Sequence, residues 1–76
     1  MKIFTLSAMF FQCMQSRLLE KAADGWRGWD KTGPKALRER LLDNFERKDW
    51  VDVANLAMIL WAQKENKRLK KGGHDG

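Results

Sequence analysis

A chain of 76 residues is long enough for one domain and too short to bury a large core, so a staple, a metal or a second copy is expected to add stability. Its single cysteine, Cys13, excludes an intrachain disulfide and suits a reducing compartment. The net charge of +5 points to an acidic partner surface or to nucleic acid, but only weakly, because the excess collects at one end in Lys64, Lys67, Arg68, Lys70 and Lys71.

The first element reads as a helix over residues 5–23. Leu6, Met9/Phe10, Cys13/Met14, Arg17/Leu18 and Lys21/Ala22 recur at the three-to-four spacing of one helical face. Thr5 or Ser7 is a candidate cap for its start. Cys13 sits among apolar neighbours and reads as buried core, not as a nucleophile, while Phe11 falls off the main stripe and implies neighbours on more than one side. The apolar N-terminal run stops at Gln12 without a small-residue cleavage site. No run approaches the roughly 18 apolar residues of a membrane span. The expectation is a soluble, cytoplasmic protein with no membrane partner.

Residues 24–33 carry three glycines and read as a loop. Its two tryptophans, Trp26 and Trp29, either fold back over the helix ends or form a docking and base-stacking platform. Pro34 opens a second helix over 34–47, since its missing N–H would have no partner in the first turn. Leu37, Leu41/Leu42 and Phe45 make a narrow apolar stripe, with Lys35, Arg38, Glu39, Arg40, Asp43, Asn44 and Arg47 toward solvent. Arg47-Lys48-Asp49 marks the break, with Asp49 as N-cap of a third helix, although one continuous helix through 34–70 is also compatible with the pattern.

The third helix, over about 50–70, has almost no polar face from Val53 to Ala62. A helix apolar all round must be buried on all sides. Two short helices cannot surround it, so a homodimer is expected, with Val53, Leu56, Ala57, Leu60 and Trp61 at an isologous interface. The fold expected is therefore all-α: a single three-helix domain over residues 1–71, its bundle completed by homodimerisation, with a disordered tail over 72–76 that holds the lone His74.

The candidates for chemistry are few. There is no zinc-ligand spacing, no glycine-rich phosphate loop and no Ser/His/Asp set. Asp43, Glu46, Asp49 and Asp52 are spaced so that a tight interhelical turn could gather four carboxylates, the hard oxygen ligands that Mg²⁺ prefers. The same residues also read as a cap, a helix-start acid and two solvated side chains. Asn55 lies in apolar surroundings, where an unpartnered amide costs about 1–3 kcal/mol. It should bond across a dimer axis or contact a ligand.

The order Met14…Leu18…Gly25-Trp26, then Leu37-x-x-x-Leu41, then Asp52-Val53-Ala54-Asn55-Leu56-Ala57-Met58-Ile59-Leu60 resembles the small MazG-like, all-α nucleotide pyrophosphohydrolases common in bacteriophages. The resemblance spans roughly residues 9–62. It implies a helical bundle completed by oligomerisation, a Mg²⁺ site made of two acidic pairs, and an asparagine that holds substrate. Asp52 and Asn55 match the second pair and the asparagine, with Asp49 where the family has Glu. The first pair falls on Asp43 and Glu46 with almost no connector, or on Leu37 and Arg40, which cannot bind a cation.

The resulting expectation is a shortened phage-type relative that acts by binding a host protein. Trp26, Trp29, Lys67, Arg68, Lys70 and Lys71 are its candidate contacts, and no cofactor is expected. Two other readings stay open. One is a Mg²⁺-dependent (d)NTP pyrophosphohydrolase using the four acids and Asn55. The other is unspecific nucleic-acid binding through the basic end of the third helix.

Overall fold

A computed structural model describes residues 2–25 and 31–73, with side chains described as far as Leu69. Helix α1 covers Ile3–Ala23, α2 covers Pro34–Glu46 and α3 covers Trp50–Gly73, and no strand occurs among the described residues.

The helix boundaries follow from local chemistry. α1 begins two residues earlier than the pattern suggests. Lys2 occupies the N-cap without a side-chain bond, so neither Thr5 nor Ser7 caps it. Ser7 lies inside the helix, and its Oγ donates back to the Phe4 carbonyl at 3.0 Å. α1 ends where Gly25 takes φ 89°, and the Gly25 N–H donates to Ala22 O at 3.1 Å. A Cβ there would meet nothing within 4 Å, so the left-handed backbone, and not space, is what glycine supplies. Pro34 takes the first turn of α2 after an extended Gly33.

The junction of α2 and α3 is a true break. The Asp49 N–H donates to Asn44 O at 2.9 Å and the Lys48 N–H to Phe45 O at 3.0 Å. This nested pair is a Schellman motif, with Lys48 in the left-handed position at φ 61°. Asp49 then caps α3: its carbonyl accepts from the Val53 N–H at 3.0 Å and its carboxylate from the Asp52 N–H at 3.2 Å. α3 continues through Gly72 and Gly73, into the stretch expected to be a tail.

α3 is the central element. α2 and α1 both pack on it, while α1 and α2 make no contact with each other among the described residues. The core is small: Leu37 from α2 with Leu56 and Ile59 from α3, flanked by Leu41 and Leu60. The buried stripe of α3 is Asp52, Asn55, Leu56 and Ile59, one face at three-to-four spacing. The expectation that α3 is enclosed on all sides is thus not met within the chain, since Ala57 and Trp61 face outward.

Four further side chains depart from the sequence pattern. Cys13 is exposed, on a helix none of whose residues is buried within the chain. Leu42 and Phe45 also point outward, and Asn44 is buried in their place. Asn44 tolerates burial because its Nδ2 donates to Arg40 O at 2.8 Å and its Oδ1 accepts from Arg47 Nη2 at 3.3 Å.

The result leaves much apolar surface outside. No residue of α1 is buried, and Phe4 is 84% exposed. The accessible surface is 6332 Å², against about 4,800 Å² for a compact monomer of this mass. The radius of gyration is 14.5 Å, against about 11 Å for a compact domain of this length.

Candidate functional site

The acidic start of α3 faces α1. Arg17 Nη1 lies 3.0 Å from Asp49 Oδ2 and 3.0 Å from Asp52 Oδ1, while Lys21 Nζ lies 3.6 Å from Asp52 Oδ2. Arg17 and Lys21 are one helical turn apart, so a single face of α1 presents both cations to the acids. Arg17 suits this bridging position because its planar guanidinium donates in several directions at once.

The electrostatics follow from this geometry. The Asp49 carboxyl is held below its ordinary range, first by the hydrogen bond from the Asp52 backbone N–H, with partial burial opposing and Arg17 assisting. Arg17 is pushed above its ordinary value, chiefly by its hydrogen bond to Asp49. Asp52 carries a capping-box spacing from Asp49, yet its carboxylate turns to Arg17 and Lys21, and the Asp49 N–H is satisfied by Asn44.

The four acids considered for Mg²⁺ are not brought together. Asp43 is exposed and pairs with Arg47 at 2.8 Å, and Glu46 is exposed. Among the described residues, no three His, Cys, Asp or Glu side chains converge as a metal would require. Asp49 and Asp52 do converge, but on a guanidinium. This donor set, neutralised by Arg17 and Lys21, does not fit a hydrated dication. The signal in the sequence was the pair Arg17 and Lys21 recurring within the apolar stripe of α1: charge at core spacing calls for a buried counter-charge.

Asn55 is 3% exposed, and its Nδ2 donates to the Met14 carbonyl of α1 at 3.1 Å. Its amide therefore ties α3 to α1 within the chain, in place of the bond across a dimer axis expected from sequence. Its Oδ1 is buried without a hydrogen-bond partner. Asn55 lines a cavity of about 160 Å³ at the place where α1 and α2 fail to meet. Leu18 and Lys21 contribute from α1, Arg40 and Asn44 from α2, and Asp52, Leu56 and Ile59 from α3.

A second concavity is open and basic. Lys31, Arg38, Lys64 and Lys67 border a groove of about 720 Å³ with Pro34 and Leu60 in its lining. Gln63 Nε2 donates to Thr32 O at 2.8 Å and pins this side of α3 to the segment before α2. The sequence offered Lys67 as a contact but not Lys31 and Arg38, which reach the groove only through the fold. Arg68, also a candidate, pairs instead with Glu65 at 2.8 Å.

The remaining candidates divide. Trp26 and Trp29, and the side chains of Lys70 and Lys71, lie outside the described residues. Of the five interface candidates, Leu56 is buried in the chain's own core, Val53 and Leu60 are half-buried, and Ala57 and Trp61 are exposed. Trp50 is half-exposed and meets Phe45 edge to face, with ring centroids 5.4 Å apart. No helix is long and apolar enough to cross a membrane among the described residues.

Compared with protein-family models, with curated proteins and with solved structures, the chain finds no match in any of the three.

Proposed function

We propose that this chain is a protein-binding module that self-associates as a homodimer and takes an acidic segment of a partner protein in its basic groove. The observation that carries the reading is the apolar exterior. Twelve large hydrophobic side chains stand exposed among the described residues, seven of them on α1, and exposed apolar surface of this kind marks a protein interface. Phe4, Phe11, Trp50 and Trp61 are all at least half exposed.

A second copy is the occupant that fits this surface. From Ile3 to Ser16 the chain carries no charged residue, so two such segments meet without the repulsion that a net charge of +5 otherwise imposes. The partner chemistry follows from the groove, where four cations from three segments surround an apolar lining. An acidic peptide with an apolar side chain satisfies both features. The MazG-like ancestry enters as part of the same proposal: a shortened phage-type relative that binds a host protein in the host cytoplasm. Arg17 on Asp49 and Asp52 supports binding over hydrolysis.

Sedimentation at micromolar concentration tests the first half. A dimer is expected, and Phe4→Glu with Phe11→Glu should give a helical monomer. A wild-type chain that sediments as a monomer overturns the reading. Fluorescence polarisation with an acidic peptide and with a single-stranded oligonucleotide tests the second half. Tighter, steeply salt-dependent binding of the oligonucleotide would replace the protein partner with nucleic acid. Turnover of a dNTP with Mg²⁺, lost in Asp52→Ala, would restore the pyrophosphohydrolase reading.

A further inference from the structure

We infer that α1 pairs antiparallel with α1 of a second copy along the stripe Phe4, Ala8, Phe11, Gln15 and Leu19, with Phe11 at the two-fold axis. The inference rests on the homodimer proposed above, and it names the surface that forms the dimer and the direction in which the two copies meet.

The stripe is defined by what α3 leaves uncovered. Met14, Arg17, Leu18 and Lys21 are the only residues of α1 that are not exposed, so they mark the face turned to α3. At the helical repeat of about 3.6 residues per turn, Phe4, Ala8, Phe11, Gln15 and Leu19 fall on one line beside that face, and all five are exposed. Phe4 at 84% and Leu19 at 71% are the two most exposed large apolar side chains among the described residues. The line carries no charge. On the opposite flank Met9 and Cys13 instead share a hollow with Arg17 and Glu20. The uncharged line is therefore the part of α1 that gains most from a second helix.

The direction is defined by charge. Contacts between α1 and α3 move forward on one helix as they move back on the other: Met14 with Asn55, then Arg17 and Lys21 with Asp52. α3 thus runs antiparallel to α1, and its basic far end, with Lys64 and Lys67, lies at the same end of the molecule as Lys2. Glu20, Asp43, Asp49 and Asp52 lie at the other end, partly neutralised by Arg17, Lys21 and Arg47. A parallel pair would set the two basic ends side by side. An antiparallel pair separates them by the length of α1, about 30 Å, well beyond the Debye length of about 10 Å at 0.1 M salt. It also sets each basic end against an acid-bearing one. The same arrangement fits the side chains. It lays Phe4 on Leu19 of the second copy at both ends, covers the two most exposed groups at once, and sets the long Gln15 against the small Ala8.

Mixing two full-length variants, Phe4→Lys and Leu19→Glu, tests the pairing by sedimentation at micromolar concentration. Both positions are exposed in the single chain, so each variant should keep its helical spectrum. Each alone should dimerise at least about tenfold more weakly than the wild type, because an unpaired charge is pressed against an apolar side chain at both ends of the pair. An equimolar mixture should recover dimers. In the antiparallel mixed dimer the introduced lysine meets the introduced glutamate at one end, and Phe4 meets Leu19 at the other. In a parallel mixed dimer the two introduced charges stand at opposite ends and nothing is recovered. A mixture no tighter than the two variants alone, with the wild type dimeric, overturns the antiparallel pairing and leaves the homodimer standing. So does either variant dimerising as tightly as the wild type. A monomeric wild type overturns both.

Discussion

Arg17 and Asp52 are separated by 35 residues in the chain and by 3.0 Å in space. Their contact joins α1 to α3 at a point where α1 supplies no buried side chain of its own. The attachment of α1 is therefore more polar than apolar, resting on Arg17, Lys21 and the Asn55–Met14 bond. A polar attachment is specific in register, because each group must find its own partner, and weak in net energy.

Removing Arg17 should loosen α1. Arg17→Met leaves Asp52 buried with Lys21 alone, and a cost of about 2 kcal/mol is expected. Arg17→Lys should recover part of it, since a single nitrogen, Nη1, meets both carboxylates and an ammonium keeps the charge but not the fixed planar geometry that places that nitrogen. Urea unfolding of the three proteins gives the comparison. A loss under about 0.5 kcal/mol in Arg17→Met would show the bridge to be an ordinary surface pair.

Acid should weaken the same contact. The Asp49 carboxyl is shifted down in the folded chain, first by the Asp52 N–H, from an unfolded value of about 3.9. A depressed folded pKa contributes stability that is complete above the unfolded value and is lost as pH falls through the folded one. Arg17 is shifted up, so it stays charged throughout this window and does not offset the loss. The urea midpoint should therefore fall as pH drops below about 4. Asp49→Asn should be less stable at neutral pH and should show a shallower acid decline. An unchanged decline in that variant would place the titrating group elsewhere.

Lys48 offers the opposite case, a substitution that stabilises. Its φ of 61° is required by the Schellman turn and is unfavourable for a side chain with a Cβ. Lys48→Gly should raise stability by about 1 kcal/mol, and Lys48→Val should lower it. Thermal unfolding of both variants reads the result. A neutral glycine substitution would mean that Lys48 gains elsewhere what its backbone loses.

Two leucines on α2 separate the core from the interface. Leu37 is fully buried in the chain, and Leu37→Ala should cost about 2–5 kcal/mol at any protein concentration. Leu42 is 62% exposed, so Leu42→Ala should be nearly neutral in a monomer. If α2 lies in the dimer contact, Leu42→Ala will instead lower the concentration-dependent part of the stability. Unfolding curves at two protein concentrations distinguish the outcomes.

The sequence by itself determined the elements. Apolar residues at helical spacing, Pro34 at a first turn, Gly25 just past a last turn and Asp49 as a cap are local signals, so α1, α2 and α3 were legible to within a few residues. It also showed that the chain has more apolar surface than two short helices can cover. What it did not determine is which face of each helix turns inward. The α2 stripe of Leu37, Leu41/Leu42 and Phe45 was narrow, yet the pattern did not fix the rotation at which it packs. The tertiary structure chose Leu37, Leu41 and Asn44, a choice the Asn44 amide tolerates because it finds Arg40 O and Arg47 inside its own helix end. The acids read in the same way. Asp49 and Asp52 were visible as a pair, but their spacing suits a metal, a cap or a cation equally well. Only the packing of α1 across α3 put Arg17 between them, and the same packing stopped short of α2 and left a cavity there. Local spacing sets what a helix can present, but long-range packing decides what each group meets, and so what chemistry it is left to do.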